Sequence, residues 1–174
     1  MNSSSTANQA AVHRAALAAV GSPADADDVA QDAFLLAYRR LRSFRGQATF
    51  KTWLLTITWN QAINHRRKSA RWWRQIAPSG EGPEFDATPV ASLSSSPEDL
   101  ASHRQLRDDI RQAIRRLPPK LRDTFLLAQS GEHSYEQIAT ILDTQSGTIK
   151  WRVSEARRLI RQRLDEHRRP RQSD

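Results

Sequence analysis

Cysteine is absent from the 174-residue chain, which excludes disulfides, thiolate zinc sites and cysteine-based redox sensing. Long apolar runs are missing as well. None approaches the roughly 20 residues that a membrane span requires, and the opening MNSSSTANQAAVHR lacks the charged start and continuous apolar core of a signal peptide. A cytoplasmic protein is therefore expected, reached by outside signals only through a partner. Alternating Val/Ile/Thr-rich stretches of strand type are lacking too. So are a Gly-rich phosphate loop, an HExxH pair and a nucleophile elbow, and the histidines (His13, His65, His103, His133, His167) are scattered. No enzymatic activity, cofactor or metal is expected.

Gly and Pro are scarce outside one stretch, Pro78 to Pro97, which reads PSGEGPEFDATPVASLSSSP and carries no Lys or Arg. That is linker composition. The net charge of +8 is divided around it: residues 1–77 hold 11 Lys+Arg against 4 Asp+Glu, residues 78–99 hold 0 against 5, and residues 100–174 hold 16 against 10. Two basic halves joined by an acidic tether suit a polyanionic partner that the tether avoids, although basic helices also occur simply as solvated surfaces.

Nearly every segment outside the tether repeats its apolar residues at helical spacing, so the expected fold class is all-α: two small helical domains joined by a flexible acidic linker. The expected divisions are 7–76, a linker at 77–99, 100–167, and a disordered basic tail at 168–174. Ala10 to Val20 forms a first helix, ended by Gly21-Ser22-Pro23. A second starts near Ala24, with Asp25, Asp27 and Asp28 at its positive end and Ala30, Phe34, Ala37, Tyr38 and Leu41 as its apolar stripe. After a break at residues 43–48, Thr49 caps a third helix through Phe50, Trp53, Leu54 and Ile57 that runs into a basic end near Arg66-Arg67-Lys68. Beyond the tether, Leu106 to Leu117 is a fourth helix stopped by Pro118-Pro119, and Leu121 to Ala128 is a fifth.

The last segment carries more information. Ser134 and Gln137 fit a capping box that opens a short helix through Ile138, Ala139 and Leu142. A turn near Asp143 follows, and Ser146-Gly147-Thr148 opens a longer helix with Ile149, Val153, Ala156, Ile160 and Leu164 on its buried row. Short helix, tight turn and longer basic helix is helix-turn-helix geometry, here spanning Tyr135 to Ala156. Thr148, Lys150, Trp151, Arg152, Ser154, Glu155, Arg157 and Arg158 are the candidates for duplex DNA. In the first half, residues 44–74 mix aromatics (Phe44, Phe50, Trp53, Trp59, Trp72, Trp73) with cations, as single-stranded nucleic acid requires, although Phe50, Trp53 and Ile57 share one face and fit a core equally well. Asp27, Asp28, Gln31 and Asp32 form an acidic cluster at one helix start. Nothing in the sequence supplies the burial and cleft of an acid/base pair. A solvated helix end explains Asp27 and Asp28 but less well Asp32, which repels Asp28 at i,i+4, and a docking face for a basic protein partner is the better functional reading.

These residues fall into two blocks. The first runs from Gly21-Ser-Pro-Ala-Asp-Ala-Asp-Asp28 through Gln31-Asp32-Ala-Phe34, Phe44-Arg45-Gly46, Thr52-Trp53-Leu54, Ile57, Asn60 and Arg66. The second runs from Leu117-Pro118-Pro119 through Arg122, Phe125-Leu126-Leu127, Ser134 to Ala139, Leu142 and Gly147-Thr148-Ile149-Lys150 to Ala156-Arg157. In this order the chain resembles the extracytoplasmic-function sigma factors of the sigma-70 family, the blocks matching conserved regions 2 and 4. The resemblance implies a transcription-initiation factor that binds core RNA polymerase at its clamp and flap regions, recognises promoter DNA in double-stranded and melted form, and is a target for an anti-sigma protein. It implies that Asp28, Gln31, Asp32, Phe34 and Leu35 dock on the clamp of the largest subunit. Phe44, Arg45, Ile57, Asn60, Asn64, Arg66 and Arg67 would hold the minus-ten strand, with a flipped base in a pocket, and Lys150 to Arg158 would read the minus-thirty-five element.

The chain departs from the family pattern at several of these positions. Thr56 and Trp59 stand where basic residues are frequent, Asn64 where Asp is common, Trp151 in place of a small Ser, and Glu155 in place of a cation. The minus-thirty-five preference therefore does not transfer. A stand-alone helix-turn-helix regulator accounts for the second block but not the first, and a single-strand or RNA-binding module accounts only for the Trp-rich segment. Binding to an operator without polymerase marks the regulator; tight, sequence-tolerant binding by the first half marks the module.

Overall fold

The computed structural model describes residues 3–76 and 97–168, all of whose regular elements are helical. The expected linker positions 77–96 and the tail from 169 onward lie outside the described residues. In chain order the helices are α1 (Ser3–Val20), α2 (Pro23–Arg40), a short 3-10 turn at Leu41–Ser43, α3 (Phe50–Ile76), α4 (Pro97–Arg115), α5 (Pro119–Gln129), α6 (Tyr135–Ile141) and α7 (Ser146–Arg168). Two begin earlier than apolar spacing predicts. α1 takes in the Ser/Thr run that precedes its first apolar residue, and α4 starts at Pro97, a residue whose fixed φ and missing N–H suit the first helical position.

The ends follow local chemistry. The Ser22 hydroxyl accepts from the Asp25 N–H at the start of α2, and the Thr49 hydroxyl accepts from the Thr52 N–H at the start of α3. Gly21, Gly46 and Gly131 hold positive φ where the chain leaves a helix or turns. The Ser134–Gln137 capping box is present in both directions: the Ser134 N–H donates to Gln137 Oε1 at 2.9 Å, and the Gln137 N–H donates to Ser134 Oγ at 3.2 Å. Asp143 takes φ 48° in the turn between α6 and α7, a left-handed conformation that Asp tolerates better than bulkier residues.

Helices α1, α2 and α3 form one bundle, in which small residues let the backbones approach closely. α2 buries Ala26, Val29, Ala33 and Ala37. This corrects the expected stripe: Phe34, Tyr38 and Leu41 lie outside the bundle and Tyr38 is 78% exposed, because the alanines and Val29, repeating at three- and four-residue intervals, already supply the buried face. Helices α4 to α7 form the second bundle around Leu117, Leu121, Phe125, Ile138, Ile149, Val153 and Ile160. The Arg163 guanidinium donates to the carbonyls of Ala113 and Arg116, satisfying the open end of α4 from across the bundle.

The two bundles are not held apart. α3 packs against α6 and α1 against α5, and one continuous apolar core runs through both halves. The two halves expected from the sequence are thus in direct contact in this structure.

Candidate functional site

Three surfaces collect the residues singled out in the sequence. On α2, Asp28, Gln31, Asp32, Phe34 and Leu35 are all exposed. Tyr38 and Leu41 extend this face with further exposed apolar surface. A solvent-exposed apolar stripe edged by acids is unusual on a protein without a partner. Beside it lies an open cleft of about 510 Å³ between α1 and α2, lined among others by His13, Arg14, Asp27, Gln31 and Phe34. His13 Nε2 stands 3.1 Å from Asp27 Oδ1 across it. Spacing alone assigned Tyr38 and Leu41 to the core; the signal that places them outside is the competing run of small residues on the same helix.

The second surface runs along α3. The turn after α2 folds Phe44 back onto the helix start, where it meets Phe50 edge-on at 5.8 Å and Trp53 at 5.2 Å; Phe50 and Trp53 stand 5.6 Å apart. Phe50 stays exposed while Trp53 and Phe44 are half-buried. At 100° per residue, Trp53, Asn60, Asn64 and Arg67 fall on one stripe of α3, so the aromatic cluster leads into exposed amides and then a cation. Arg45 is exposed in the turn. Ile57 is buried with Val12, Ala33, Ala37 and Leu54, so it shapes the floor beneath this stripe and presents no surface of its own. Trp59 is 1% exposed in the core, its indole N–H without a partner. The side chains of Trp72 and Trp73 lie outside the described residues.

Arg66 is on the other side of α3 and does not join the stripe. Its guanidinium donates to Asp123 Oδ1 of α5 at 2.6 Å and to the Ala19 carbonyl of α1 at 3.1 Å. Arg122 lies close by, more than half-buried and with its Nε unpartnered. Burial, followed by the positive field of Arg66, lowers its pKa, and Asp123 only partly offsets this. A second ion pair joins the halves at the edge, where Arg14 donates to both carboxylate oxygens of Glu132 at 2.6 and 3.1 Å. The bond to Arg14 holds the Glu132 carboxyl below its ordinary pKa. These interdomain contacts have no signal in sequence spacing.

The third surface is the outward side of α7. Ile149, Val153, Ala156 and Ile160 are buried; Lys150, Trp151, Ser154, Arg157, Arg158 and Arg161 are exposed, and Thr148, Arg152 and Glu155 are intermediate. Glu155 is bound by Arg158 through both oxygens, at 2.7 and 2.9 Å. Among the described residues no group of three or more His, Cys, Asp or Glu is placed to hold a metal, and no helix is long and apolar enough to cross a membrane.

Comparison with known proteins identifies the family to which these two halves belong. Residues 5–73 match the model of sigma-70 region 2, and residues 107–160 match that of sigma-70 region 4. The chain is 37% identical over 141 residues to the ECF RNA polymerase sigma-E factor of Escherichia coli K12, covering 78% of this chain and 72% of that one. It is 36% identical over 137 residues to the RNA polymerase sigma-H factor of Pseudomonas aeruginosa, covering 78% and 71%. The sigma factor RpoE of Bartonella quintana, solved in complex with the anti-sigma factor NepR, superimposes with a TM-score of 0.68 at 26% identity over 92% of this chain and 93% of that one. CnrH, solved with the cytosolic domain of CnrY, shares the fold at a TM-score of 0.60 and 20% identity over 90% and 82%. With two region models in order and relatives above one-third identity along most of its length, the chain belongs to the ECF sigma factors of the sigma-70 family, initiation factors rather than enzymes, which bind core RNA polymerase and promoter DNA.

Proposed function

We propose that the three surfaces divide the work of initiation. The α2 face, with Asp28, Gln31, Asp32, Phe34 and Leu35, docks on the polymerase clamp; its acids meet a basic partner while the exposed apolar residues supply the buried contact area. The turn and stripe of α3, with Phe44, Arg45, Asn60, Asn64 and Arg67, take the melted minus-ten strand. Rings there stack on unpaired bases and cations follow phosphates. Helix α7 enters the major groove at minus thirty-five. The observation that carries this reading is the exposed acid-edged apolar face of α2, for which a stand-alone DNA-binding regulator has no use.

The two promoter elements lie roughly 80 Å apart, at ~34 Å per turn of duplex. Each half, of about 70 residues, is roughly 30 Å across, so two touching halves reach at most about 60 Å. Promoter engagement therefore requires the halves to separate, which also releases Arg66 from Asp123 for DNA. By likeness to the Bartonella factor, solved in complex with an anti-sigma factor, an anti-sigma protein is a further partner, and one that held the closed arrangement would block promoter engagement. The site of action is the cytoplasm, where polymerase and promoters are found.

Reconstitution tests the reading. The full chain added to core polymerase directs transcription from a matching promoter and gives a sequence-specific gel shift only in its presence. A specific shift by the chain alone overturns it in favour of the regulator.

A further inference from the structure

The outward ridge of α7 carries a chemistry of its own. At 100° per residue, the buried row of Ile149, Val153, Ala156 and Ile160 puts Trp151 and Arg158 almost directly opposite, with Ser154 and Glu155 on either side. Trp151 is 62% exposed, one turn into the helix, where recognition helices approach base edges. Glu155 lies one turn further along and is fixed side-on by Arg158, Oε2 to Nε at 2.9 Å and Oε1 to Nη2 at 2.7 Å. The remaining Nη1 of Arg158 donates to Gln162 Oε1 at 3.3 Å. The guanidinium edge that would read guanine is thus already occupied. The carboxylate, whose pKa Arg158 holds down, stays ionised and keeps lone pairs free.

We propose that Glu155, oriented by Arg158, reads a cytosine in the upstream duplex element, and that the Trp151 ring meets the methyl of a neighbouring thymine. The base edges decide between candidates. A fixed carboxylate can only accept, and cytosine offers the N4 amino group in the major groove with no acceptor beside it on the same base. Adenine offers N6 but sets N7, an acceptor, next to it; guanine presents N7 and O6, and thymine O4, all of which repel an anion. An acid at this place is tolerated against the phosphate field because Arg158 neutralises it locally. The inference rests on α7 being the minus-thirty-five helix and adds which bases it selects.

The test is selection from a promoter library randomised across the upstream element, using core polymerase with the full-length chain and with Glu155→Ala, Glu155→Gln and Trp151→Ala. The wild-type holoenzyme should enrich cytosine at one position. Glu155→Ala should weaken that preference by roughly tenfold or more and, with Arg158 released, move it toward guanine; Glu155→Gln should move it toward adenine. Trp151→Ala should relax the adjacent thymine alone. Trp151 is exposed and Glu155 only partly buried, and neither belongs to the core, so the variants keep the wild-type melting temperature. Identical base profiles for wild type and Glu155→Ala overturn the inference while leaving the sigma assignment standing. Library transcription that ignores the upstream element altogether, even for wild type, removes α7 as the reading helix and the inference with it.

Discussion

Arg66 of α3 and Asp123 of α5 are bonded at 2.6 Å across the boundary between the two halves, with most of both side chains withdrawn from water. An aspartate from region 4 thereby occupies a cation that the resemblance to sigma region 2 assigns to promoter DNA. Neighbouring Arg122, with its Nε buried and unpaired, makes Asp123 the anion between two guanidinium groups. Removing it leaves two cations facing each other. Loss of one partner from a fully buried pair costs about 3–5 kcal/mol, and the residual exposure here reduces that to roughly 1–3 kcal/mol. Asp123→Ala should therefore shift the halves toward separation while each bundle stays folded. Because the chain has no cysteine, dyes on Cys introduced one per half report the distance directly. Wild-type energy transfer in Asp123→Ala rules out this contact as the clasp.

Charge reversal on α2 tests the docking face. Asp28 and Asp32 are exposed and take part in no core contact, so Asp28→Lys with Asp32→Lys should change stability by less than about 0.5 kcal/mol. Against a basic partner it should lower polymerase affinity at least tenfold, read by competition with the unmodified factor for a limiting amount of core enzyme. Tyr38→Ala should weaken the same complex with no change of charge. Undiminished binding by both variants removes the face from the interface.

Much of this was legible in the sequence, for identifiable reasons. Helix starts were readable where the cap is a side chain with a recognisable pattern, as at Thr49 and Ser134, since the signal is local, whereas Ser22, which caps α2, was read only as part of the break before it. The buried row of α7 was readable because only one set of apolar residues repeats there. On α2 the expected stripe mixed two sets: Ala37 is buried and Ala30 partly so, as read, but Phe34 and Tyr38 face out while Ala26, Val29 and Ala33 take their place inside. The bond between Arg66 and Asp123 joins residues 57 positions apart, and no periodicity records such a pair.

Acid should loosen the contact between the halves. His133, at the turn before α6, has its pKa lowered, first by burial and then by Lys51, with a smaller push from Arg14; Glu132 opposes this. The folded protein thus binds fewer protons here than the unfolded chain, so its contribution to stability is present above the ordinary histidine pKa of about 6.5 and is lost as pH falls below that value and through the lowered folded pKa. Glu132, also lowered, acts in the same direction but only within and below the carboxylate range. Interdomain energy transfer should decline between about pH 7 and 5, and His133→Gln should flatten that decline. A wild-type signal constant over the interval excludes His133 from the contact.

Substitution of Asn60 should separate DNA contact from polymerase contact. It is exposed on the α3 stripe, two turns beyond Trp53, and has no part in the α2 face. Asn60→Ala should leave holoenzyme assembly unchanged and reduce promoter opening by roughly tenfold, the loss expected of one good base contact. Permanganate reactivity of the minus-ten thymines reads this directly, and normal melting takes Asn60 out of the site.

The length of the tether should matter more than its sequence. Residues 78–97 carry Pro83, Pro89 and Pro97, several Ser and no cation, a composition with little to bury. About 20 residues span on the order of 25 Å as a flexible coil and roughly 65 Å at full extension. The closed arrangement asks little of such a length. Promoter engagement asks much more, because the elements lie roughly 80 Å apart and only the dimensions of the halves supply the difference. A Gly/Ser segment of equal length should therefore retain part of the transcription, since it keeps the reach but is more flexible. Deleting about ten residues cuts the extended limit to roughly 35 Å, which together with the halves leaves little margin over the separation of the elements; transcription from a promoter bearing both elements should fall sharply, while the closed state and its energy transfer stay intact. In vitro transcription with both variants decides the matter, and full activity of the shortened chain would show that the two halves do not reach both elements at once.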